Sequence, residues 1–323
     1  HSFTGAPDGA NPSGTLLEVS PGIFYGTTFA GGDGDQGTIF EATSGGDYQI
    51  IHDFDYTDGA GPNGGLVRAG DGNYYGTTAW GGNNGDGTIY RLNADQTVTR
   101  LFSFDGDDGL NPSDDLAVGP DGKLYGCTES GGANGDGTLF SFTTNGIFNL
   151  LFSFGGTNGI RPHAALFAGN DGNFYGATAG GGTNDQDGVI YEVTPAGGFQ
   201  VLAYFNGDNG LDAFSPLVRN TDGTLYGTTF NGGAYGSGNI YQLSFASAPA
   251  PDVVDVARKG AQVILTGSGL PGRAYQLLGA TNLSSPVWLP IGDAVTASNA
   301  IFTVTDSLPA SSEKFYKLEL KMP

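Results

Sequence analysis

The 323-residue sequence has very few of the side chains that build disulfides and metal centres: one cysteine, one methionine and three histidines. Cys127 alone rules out an internal disulfide and a cysteine-based metal cluster, and three histidines argue against a histidine-based metal centre. No apolar run approaches the ~18 residues of a membrane-spanning helix. Membrane insertion is therefore not expected.

Basic residues are also scarce, because 12 lysines and arginines face 33 acidic residues and give a net charge of −21. Acids and bases balance after residue 250, so the excess negative charge lies in residues 1–250. Such a surface repels phosphate backbones and attracts cations or neutral polar ligands. We expect no nucleic acid partner. Low lysine with 58 glycines is typical of extracellular proteins, and a secreted or cell-surface monomer is expected.

A Tyr-Gly-x-Thr motif recurs at intervals of 50, 50, 50 and 51 residues. Its five copies begin at Tyr25, Tyr75, Tyr125, Tyr175 and Tyr226. Asp-Gly, a signal for a type I′ hairpin turn, precedes most of them. Each copy is predicted to form four short strands, named a to d, which in the second copy are Gly65–Ala69, Asn73–Ala79, Gly87–Asn93 and Thr97–Phe104. Four strands in about 50 residues make one blade of a β-propeller.

The two ends of the repeat region suggest how it closes. The fifth copy ends after strand c, whereas the chain begins with His1-Ser2-Phe3, which aligns with the strand d segments 52–54 and 102–104. The N-terminal segment is therefore predicted to supply the missing outer strand and remove an open sheet edge. The expected fold class is all-β, with a five-bladed β-propeller over residues 1–245.

The rest of the chain reads as a second domain. Residues 246–252 are small and Pro-rich, as in a linker, and residues 253–323 contain short alternating strands. Tyr275 and Trp288 are candidate core residues. This pattern fits a small Ig-like or fibronectin-like β-sandwich, which we interpret as a spacer or anchoring module.

The repeat resembles the bacterial GloVer tandem repeat. The resemblance is carried by Phe104–Pro112, Asp121–Gly132 and Gly137–Phe140 and by their counterparts, and it covers roughly residues 1–245. The tail is similar, more loosely, to sandwich modules at the C-termini of secreted bacterial proteins. The resemblance implies an exported or cell-surface protein, and it transfers no catalytic residue.

The d–a loops connect strand d of one copy to strand a of the next, and the b–c loops connect strands b and c of one copy. Both sets of loops are long and rich in Gly and Asp, and in a propeller they emerge on the same face. This face is the default site for a ligand. One interpretation is that the loops have a purely structural role and consist of Asx-turns and of glycines with left-handed backbone geometry. Another is Ca²⁺ binding through carboxylate and carbonyl oxygens. The candidate ligands are Asp33, Asp35, Asn84, Asp86, Asn134, Asp136, Asp185 and Asp187.

A third interpretation is glycan binding. Aromatic residues break the repeat pattern in these loops or at the ends of strand b, and an exposed aromatic ring suits contact with a ligand. These residues are Trp80, Tyr235, Phe29 and Phe230. The alternative is that each ring only covers an apolar seam. Arg161 and His163, in the fourth d–a loop, are candidates for binding an anionic sugar.

Three acids also break the pattern. Asp114 and Asp115 stand at the entrance to the third strand a, where other copies have small residues, and Glu129 replaces Phe or Ala. They could form a general acid/base pair of a polysaccharide-active enzyme, although a solvated acidic rim is the favoured interpretation. We expect a carbohydrate-binding module. The alternatives are a glycoside hydrolase or lyase and a structural surface protein.

Overall fold

The structure of the chain is a computed structural model. It describes residues 1–112, 114–183, 187–220, 224–243, 252–259, 262–268, 274–280, 288–292, 294–296, 301–307 and 315–320. Two compact units are present. The first contains His1–Ala168, Phe174–Val218 and Tyr226–Gln242, and the second contains Gly169–Asn173, Arg219–Leu225 and Leu243–Pro323. In none of the described ranges is there a helix long and apolar enough to cross a bilayer.

Each of the five repeat copies forms one antiparallel sheet, named here sheet 1 to sheet 5. Sheet 1 contains β1 (Gly9–Pro12), β2 (Leu17–Ser20), β3 (Ile23–Gly31), β4 (Thr38–Thr43) and β5 (Tyr48–Asp53). Sheet 2 contains β6 (Val67–Arg68), β7 (Tyr74–Thr78), β8 (Thr88–Leu92) and β9 (Val98–Ser103). Sheet 3 contains β10 (Ala117–Val118), β11 (Leu124–Thr128), β12 (Thr138–Phe142) and β13 (Phe148–Ser153).

Sheet 4 contains β14 (Ile160–Pro162), β15 (Phe167–Ala168), β16 (Phe174–Gly180), β17 (Val189–Val193) and β18 (Phe199–Tyr204). Sheet 5 contains β19 (Val218–Arg219), β20 (Leu225–Thr229) and β21 (Asn239–Leu243). The predicted strands a to d correspond to β6–β9 in sheet 2. A protein with several four-stranded antiparallel sheets of this kind is all-β, and the sheets are consistent with propeller blades. Additional short strands, β1 and β14, extend the d–a loops of sheets 1 and 4 along the end of strand b.

The same aromatic contact recurs between every pair of consecutive sheets. A phenylalanine just after strand d of one sheet meets the edge of the aromatic ring in strand c of the next sheet. The ring centroids are 5.1 Å apart for Phe54–Tyr90, 5.3 Å for Phe104–Phe140, 5.2 Å for Phe154–Tyr191 and 5.1 Å for Phe205–Tyr241. The 50-residue spacing of the sequence therefore gives every sheet interface the same edge-to-face core contact.

The N-terminal segment makes the same side-chain contact but does not form the predicted strand. Phe3 lies 5.4 Å from the ring of Phe40 in sheet 1, and His1 stacks on Tyr48 at 3.7 Å. Sheet 5 has three strands, and β21 pairs with no N-terminal strand among the described residues. The predicted pairing of the N-terminus with the last sheet is therefore not found among the described residues, although the side chains of residues 1–3 make the contacts with sheet 1 that a strand d of the preceding sheet would make.

The hairpin between strands a and b is held by a tyrosine–aspartate hydrogen bond. Tyr75 donates its hydroxyl to Asp71 at 2.6 Å, and Tyr125 donates to Asp121 at 2.9 Å. Burial, reinforced by the hydrogen bond to Asp71, raises the pKa of Tyr75 from 10.0 to about 12. Tyr75 is the Tyr of the Tyr-Gly-x-Thr motif, so the motif itself supplies the side chain that stabilises the a–b turn.

This pKa shift predicts a loss of stability at high pH. Because the folded pKa of Tyr75 lies above its unfolded value of 10.0, its contribution is complete below pH 10 and is lost as the pH rises toward 12. The melting temperature of Tyr75→Phe should therefore fall less between pH 10 and pH 12 than that of the wild type. Tyr235→Phe, at an exposed position, is the control. An identical decline in Tyr75→Phe and wild type would contradict the assignment.

The second unit contains two antiparallel sheets. One sheet is built from β22 (Asp252–Lys259), β23 (Gln262–Ser268) and β27 (Ile301–Ser307). The other is built from β24 (Ala274–Ala280), β25 (Leu289–Pro290), β26 (Val295–Thr296) and β28 (Phe315–Leu320). In the second sheet, β24 pairs with β28 along one edge and with β25 and β26 along the other.

Side chains of both sheets meet in one apolar core, where Tyr275 stacks on Phe302 with ring centroids 4.9 Å apart. Tyr275 is thus a core residue, as predicted. Trp288 is only partly buried, and the Lys317 ammonium lies 5.2 Å from the centre of its ring. The predicted linker, 246–252, lies outside the described residues except for Asp252.

Candidate functional site

The b–c loops of sheets 1, 2 and 3 are each hydrogen-bonded to the d–a loop of the next sheet. Backbone N–H groups of Gly61, Asn111 and Arg161 donate to carbonyls of Gln36, Asp86 and Asp136 at 2.8, 3.1 and 2.9 Å. The two sets of loops therefore lie together, and the surface that they form is named here the loop face. These bonds hold the loop face across neighbouring sheets, so a side chain on one loop is positioned by two repeat copies.

The d–a loops share a residue with left-handed backbone geometry. Its φ is 54° at Asn11, 63° at Gly61, 54° at Asn111, 53° at Arg161 and 56° at Asp212. Gly, Asn and Asp tolerate this region, whereas a long side chain is uncommon there. The backbone bonds described above explain why the conformation is kept at Arg161, whose side chain is exposed.

Two of the predicted ligand-binding aromatics are in contact. The rings of Phe29 and Trp80 are 5.1 Å apart at an interplanar angle of 69°, and Trp80 is 43% exposed. Gly61 lies against both rings, since a Cβ there would be 3.0 Å from Trp80 and 3.2 Å from Phe29. We name Phe29 and Trp80 the Trp80 platform. It presents an exposed indole on the loop face with an aromatic ring supporting its edge.

A second group of side chains runs across sheets 3, 4 and 5. His163 Nδ1 lies 4.0 Å from Asp114 Oδ2, and the His163 ring meets the edge of Phe214 at 5.2 Å. Phe214 in turn lies 6.3 Å from Phe230, which is 72% exposed. We name Asp114, His163, Phe214 and Phe230 the His163 row. An acid, an imidazole and two aromatic rings thus follow one another in contact.

Phe214 was not among the residues predicted from the sequence. It occupies the repeat position held by Ser13, Asn63 and His163 in other copies, so an alignment of that position could have identified it. Tyr235, which the sequence predicts to be a ligand-binding residue, is 96% exposed in the b–c loop of sheet 5.

The three predicted catalytic acids have different environments. Burial raises the pKa of the Cys127 thiol well above its ordinary value, and the negative charges of Asp114 and Glu129 raise it further. Both carboxylates therefore lie near this thiol. Asp115 instead accepts a hydrogen bond from the backbone N–H of Gly65, in the preceding repeat copy. The structure thus places Asp114 and Glu129 each within electrostatic range of the buried Cys127 thiol, whereas Asp115 makes a hydrogen bond to the neighbouring repeat copy.

Asp115 is accordingly expected to affect stability. In Asp115→Ala the buried Gly65 N–H loses its acceptor, which costs about 1–3 kcal/mol of unfolding free energy. Urea denaturation should show this loss. Asp114→Ala is the matched control with a smaller expected effect, because Thr77 contacts the Asp114 backbone carbonyl and that contact survives truncation. Equal stability of the two variants would contradict the structural role of Asp115.

The predicted Ca²⁺ ligands make hydrogen bonds within the protein. Asn84 and Asn134 donate their amide groups to the Phe104 and Phe154 carbonyls at 2.9 and 2.8 Å. Asp35 accepts a bond from the Gly31 N–H at 2.8 Å, and Asp33 donates its N–H to Asp53 at 3.2 Å. Asp86 and Asp136 supply the backbone carbonyls described above.

Asp187 is partly buried, and Asp185 lies outside the described residues. Within the described part of the chain, no three His, Cys, Asp or Glu side chains are grouped so that they could hold a metal ion. The bonds of the loop asparagines and aspartates fit the structural interpretation of the loops, while the Ca²⁺ interpretation stays a prediction.

The first unit is a tandem-repeat all-β structure with an acidic and aromatic loop face. The chain belongs to the Gloeobacter/Verrucomicrobia repeat family, whose model matches residues 1–170 and again residues 146–262. No curated protein matches the chain.

Solved structures similar to the chain include two proteins of unknown function. One is from Dyadobacter fermentans, with 11% identity over 83% of this chain and 93% of that one and a TM-score of 0.47. The other is from Desulfotomaculum acetoxidans, with 12% identity over 83% and 68% and a TM-score of 0.43. A subtype N11 neuraminidase-like protein of A/flat-faced bat/Peru/033/2010 (H18N11) matches at 11% identity over 95% and 98%, with a TM-score of 0.39.

Proposed function

We propose that the loop face binds carbohydrate and that the protein is an extracellular binding module. The observation that supports this most is the combination, on one repeat array, of the exposed Trp80 platform and the His163 row. Aromatic rings stack on the apolar faces of sugars, and carboxylate, imidazole and backbone groups hydrogen-bond their hydroxyls. Both kinds of group come from positions at which the repeat pattern is broken.

The ligand that fits this arrangement best is an extended neutral polysaccharide. The Trp80 platform belongs to sheets 1 and 2, whereas the aromatic rings of the His163 row belong to sheet 5, so two separate sugar contacts are available. The net charge of −21 disfavours polyanionic chains. Arg161 and His163 are the exception, because these two side chains are proposed to bind a single anionic group of a sugar.

We propose further that sheets 1–5 are the blades of a five-bladed propeller. The unit with two sheets is proposed to be an Ig-like or fibronectin-like module that spaces or anchors the propeller at the cell surface. Its apolar core between two antiparallel sheets supports that assignment.

The proposal is tested by melting the intact chain with a panel of polysaccharides, with and without Ca²⁺. A ligand that binds the folded state should raise the melting temperature. Trp80→Ala should weaken that binding about tenfold, which corresponds to ~1.4 kcal/mol. Trp288→Ala, at the other tryptophan, is the control and should bind as the wild type does. No shift with any polysaccharide would contradict the proposal, and a shift with Ca²⁺ alone would assign the acidic loops to cation binding.

A polysaccharide-active enzyme is the second candidate, favoured by the placement of Asp114 and Glu129 near the same thiol. One carboxyl group would serve as general acid and the other as general base. If the chain is an enzyme, a parallel assay of the same polysaccharides should detect new reducing ends. Asp114→Asn and Glu129→Gln should each abolish the release of these ends. Binding without product, by contrast, would support the binding module.

A further inference from the structure

Each position of the repeat can be compared with four other copies, and Tyr56 differs from all of them. It is the second residue after the phenylalanine that follows strand d, where the other copies have glycine, namely Gly5, Gly106, Gly156 and Gly207. Among the described residues, a Cβ at any of these four glycines would meet nothing within 4 Å. The position is therefore open, and the packing of the repeat requires no side chain there.

Tyr56 keeps the backbone geometry of the glycine that it replaces. Its φ is 70°, compared with 86° at Gly5, 50° at Gly156 and 77° at Gly207. This left-handed geometry is uncommon for a residue with a bulky side chain, and it costs free energy. Tyr56 is also 48% exposed. It therefore adds an exposed aromatic ring at a backbone cost that the glycines avoid.

Tyr56 lies beside the Trp80 platform. Its carbonyl accepts a hydrogen bond at 2.8 Å from the N–H of Gly82, two residues after Trp80. Trp80 is itself paired with Ala60 of the same d–a loop through two backbone hydrogen bonds of 2.8 and 2.9 Å. The Tyr56 hydroxyl lies near the b–c loop, since a Cβ at Gly85 would be 3.2 Å from it. One pair of hydrogen-bonded loops therefore carries both exposed rings.

A second departure from the repeat ties these two loops together. Arg100 of β9 occupies the register position that aliphatic residues hold in other sheets, namely Ile50, Leu150 and Val201. Its guanidinium donates to the carbonyl of Thr57, next to Tyr56, and to Asn83 Oδ1 at 2.9 Å. Arg100 thus connects the d–a loop at Tyr56 to the b–c loop that follows Trp80.

We infer that Tyr56 is a second sugar-binding ring and that it holds a different part of the same polysaccharide chain from the Trp80 platform. This inference rests on the proposed binding of carbohydrate by the loop face. Tyr56 offers an aromatic ring for stacking and a hydroxyl that can donate and accept hydrogen bonds. Arg100 is a positioning residue that keeps the Tyr56 loop against the Trp80 loop. A short neutral fragment contacts the Trp80 platform alone, whereas a longer one also reaches Tyr56.

The test titrates the intact chain calorimetrically with fragments of increasing length, made from a polysaccharide that raises the melting temperature of the wild type. Tyr56→Gly restores the residue of the other copies, so it should melt at or above the wild-type temperature. It should nevertheless bind long fragments about tenfold more weakly and bind the shortest measurable fragments as the wild type does. Tyr56→Phe keeps the ring and should retain most of the long-fragment affinity.

Two further variants separate this role from a general loss of structure. Arg100→Leu, with the residue of the third copy, should weaken the binding of long fragments and leave that of short fragments unchanged. Tyr204→Thr removes a tyrosine that is 44% exposed in sheet 4 and should bind every fragment as the wild type does.

The inference would be overturned if Tyr56→Gly bound long fragments like the wild type while Trp80→Ala weakened them, and carbohydrate binding by the loop face would then still stand. Equal weakening of short and long fragments by Tyr56→Gly would also overturn it, because the two rings would then hold the same sugar. If the wild type bound no fragment of any length, the carbohydrate proposal itself would be contradicted, and the role of Tyr56 with it.

Discussion

Replacing Phe104 by alanine is expected to lower the unfolding free energy by about 3–5 kcal/mol, the usual cost of removing a fully buried aromatic ring. Phe104 has no exposed surface and contacts the rings of Phe102, Phe140 and Phe148 at 5.2, 5.3 and 5.7 Å. It is the phenylalanine that joins sheets 2 and 3. For a unit of this size the melting temperature should drop by about 10 °C.

The matched control for this prediction is Phe3→Ala, which removes the same repeat residue where its surroundings are only partly buried. Its effect should be clearly smaller, because an open site loses less apolar burial and leaves no closed cavity. Calorimetry of both variants makes the comparison. If Phe3→Ala were as destabilising as Phe104→Ala, the contact between strand d and the next sheet would not be the main source of stability at each interface.

Gly64→Ala is the second change with a large expected effect. A Cβ at residue 64 would lie 2.5 Å from the backbone carbonyl of Asp114, in the next repeat copy, and backbone cannot rotate away as a side chain can. Forcing the two strands apart should cost about 1–3 kcal/mol and lower the melting temperature by about 5 °C. The same displacement should weaken polysaccharide binding, because Asp114 belongs to the His163 row.

Gly106→Ala provides the control, since nothing lies within 4 Å of a Cβ at that position. It should be neutral or slightly stabilising, because alanine reduces the freedom of the unfolded chain. Differential scanning calorimetry and a binding titration measure the two effects. Gly64→Ala with wild-type stability would mean that the segments preceding β6 and β10 are not held at this close distance.

Most of the strand pattern could be predicted from the sequence because its period is so regular. Strands b, c and d of the second copy are within a residue or two of the predicted ranges, as β7, β8 and β9. Strand a is shorter than predicted, with only Val67–Arg68 in place of Gly65–Ala69. Strand a has the same length of two residues in the third, fourth and fifth copies, and in the second copy Gly65 directs its N–H to the Asp115 carboxylate of the neighbouring copy.

The position of the N-terminus shows a limit of repeat alignment. Aligning His1–Phe3 with strand d correctly predicted the side chains that fill an interface, since Phe3 contacts Phe40 as its counterparts contact theirs. The backbone pairing with β21 that the same alignment predicts is not found among the described residues. A repeat sequence specifies contacts between neighbouring copies, and it specifies nothing about whether the last copy meets the first.

The candidate site was predicted only in part. Trp80 and His163 stand out in sequence because they break the repeat, but their partners lie 50 residues away and become neighbours only through the stacking of sheets. Phe214 was missed for that reason. Asp115 was grouped with Asp114 because both are acids at one position, whereas their roles depend on which backbone or ring each one faces.

The most direct test of the carbohydrate-binding proposal is a fluorescence titration of Trp288→Phe, in which Trp80 is the only remaining tryptophan. The titrant is a polysaccharide that raises the melting temperature of the wild type. If the loop face binds it, the emission of the exposed Trp80 should shift to shorter wavelength and saturate, because the sugar removes water from the indole. Unchanged Trp80 emission, at concentrations that saturate the thermal shift, would place the binding site elsewhere and contradict the proposal.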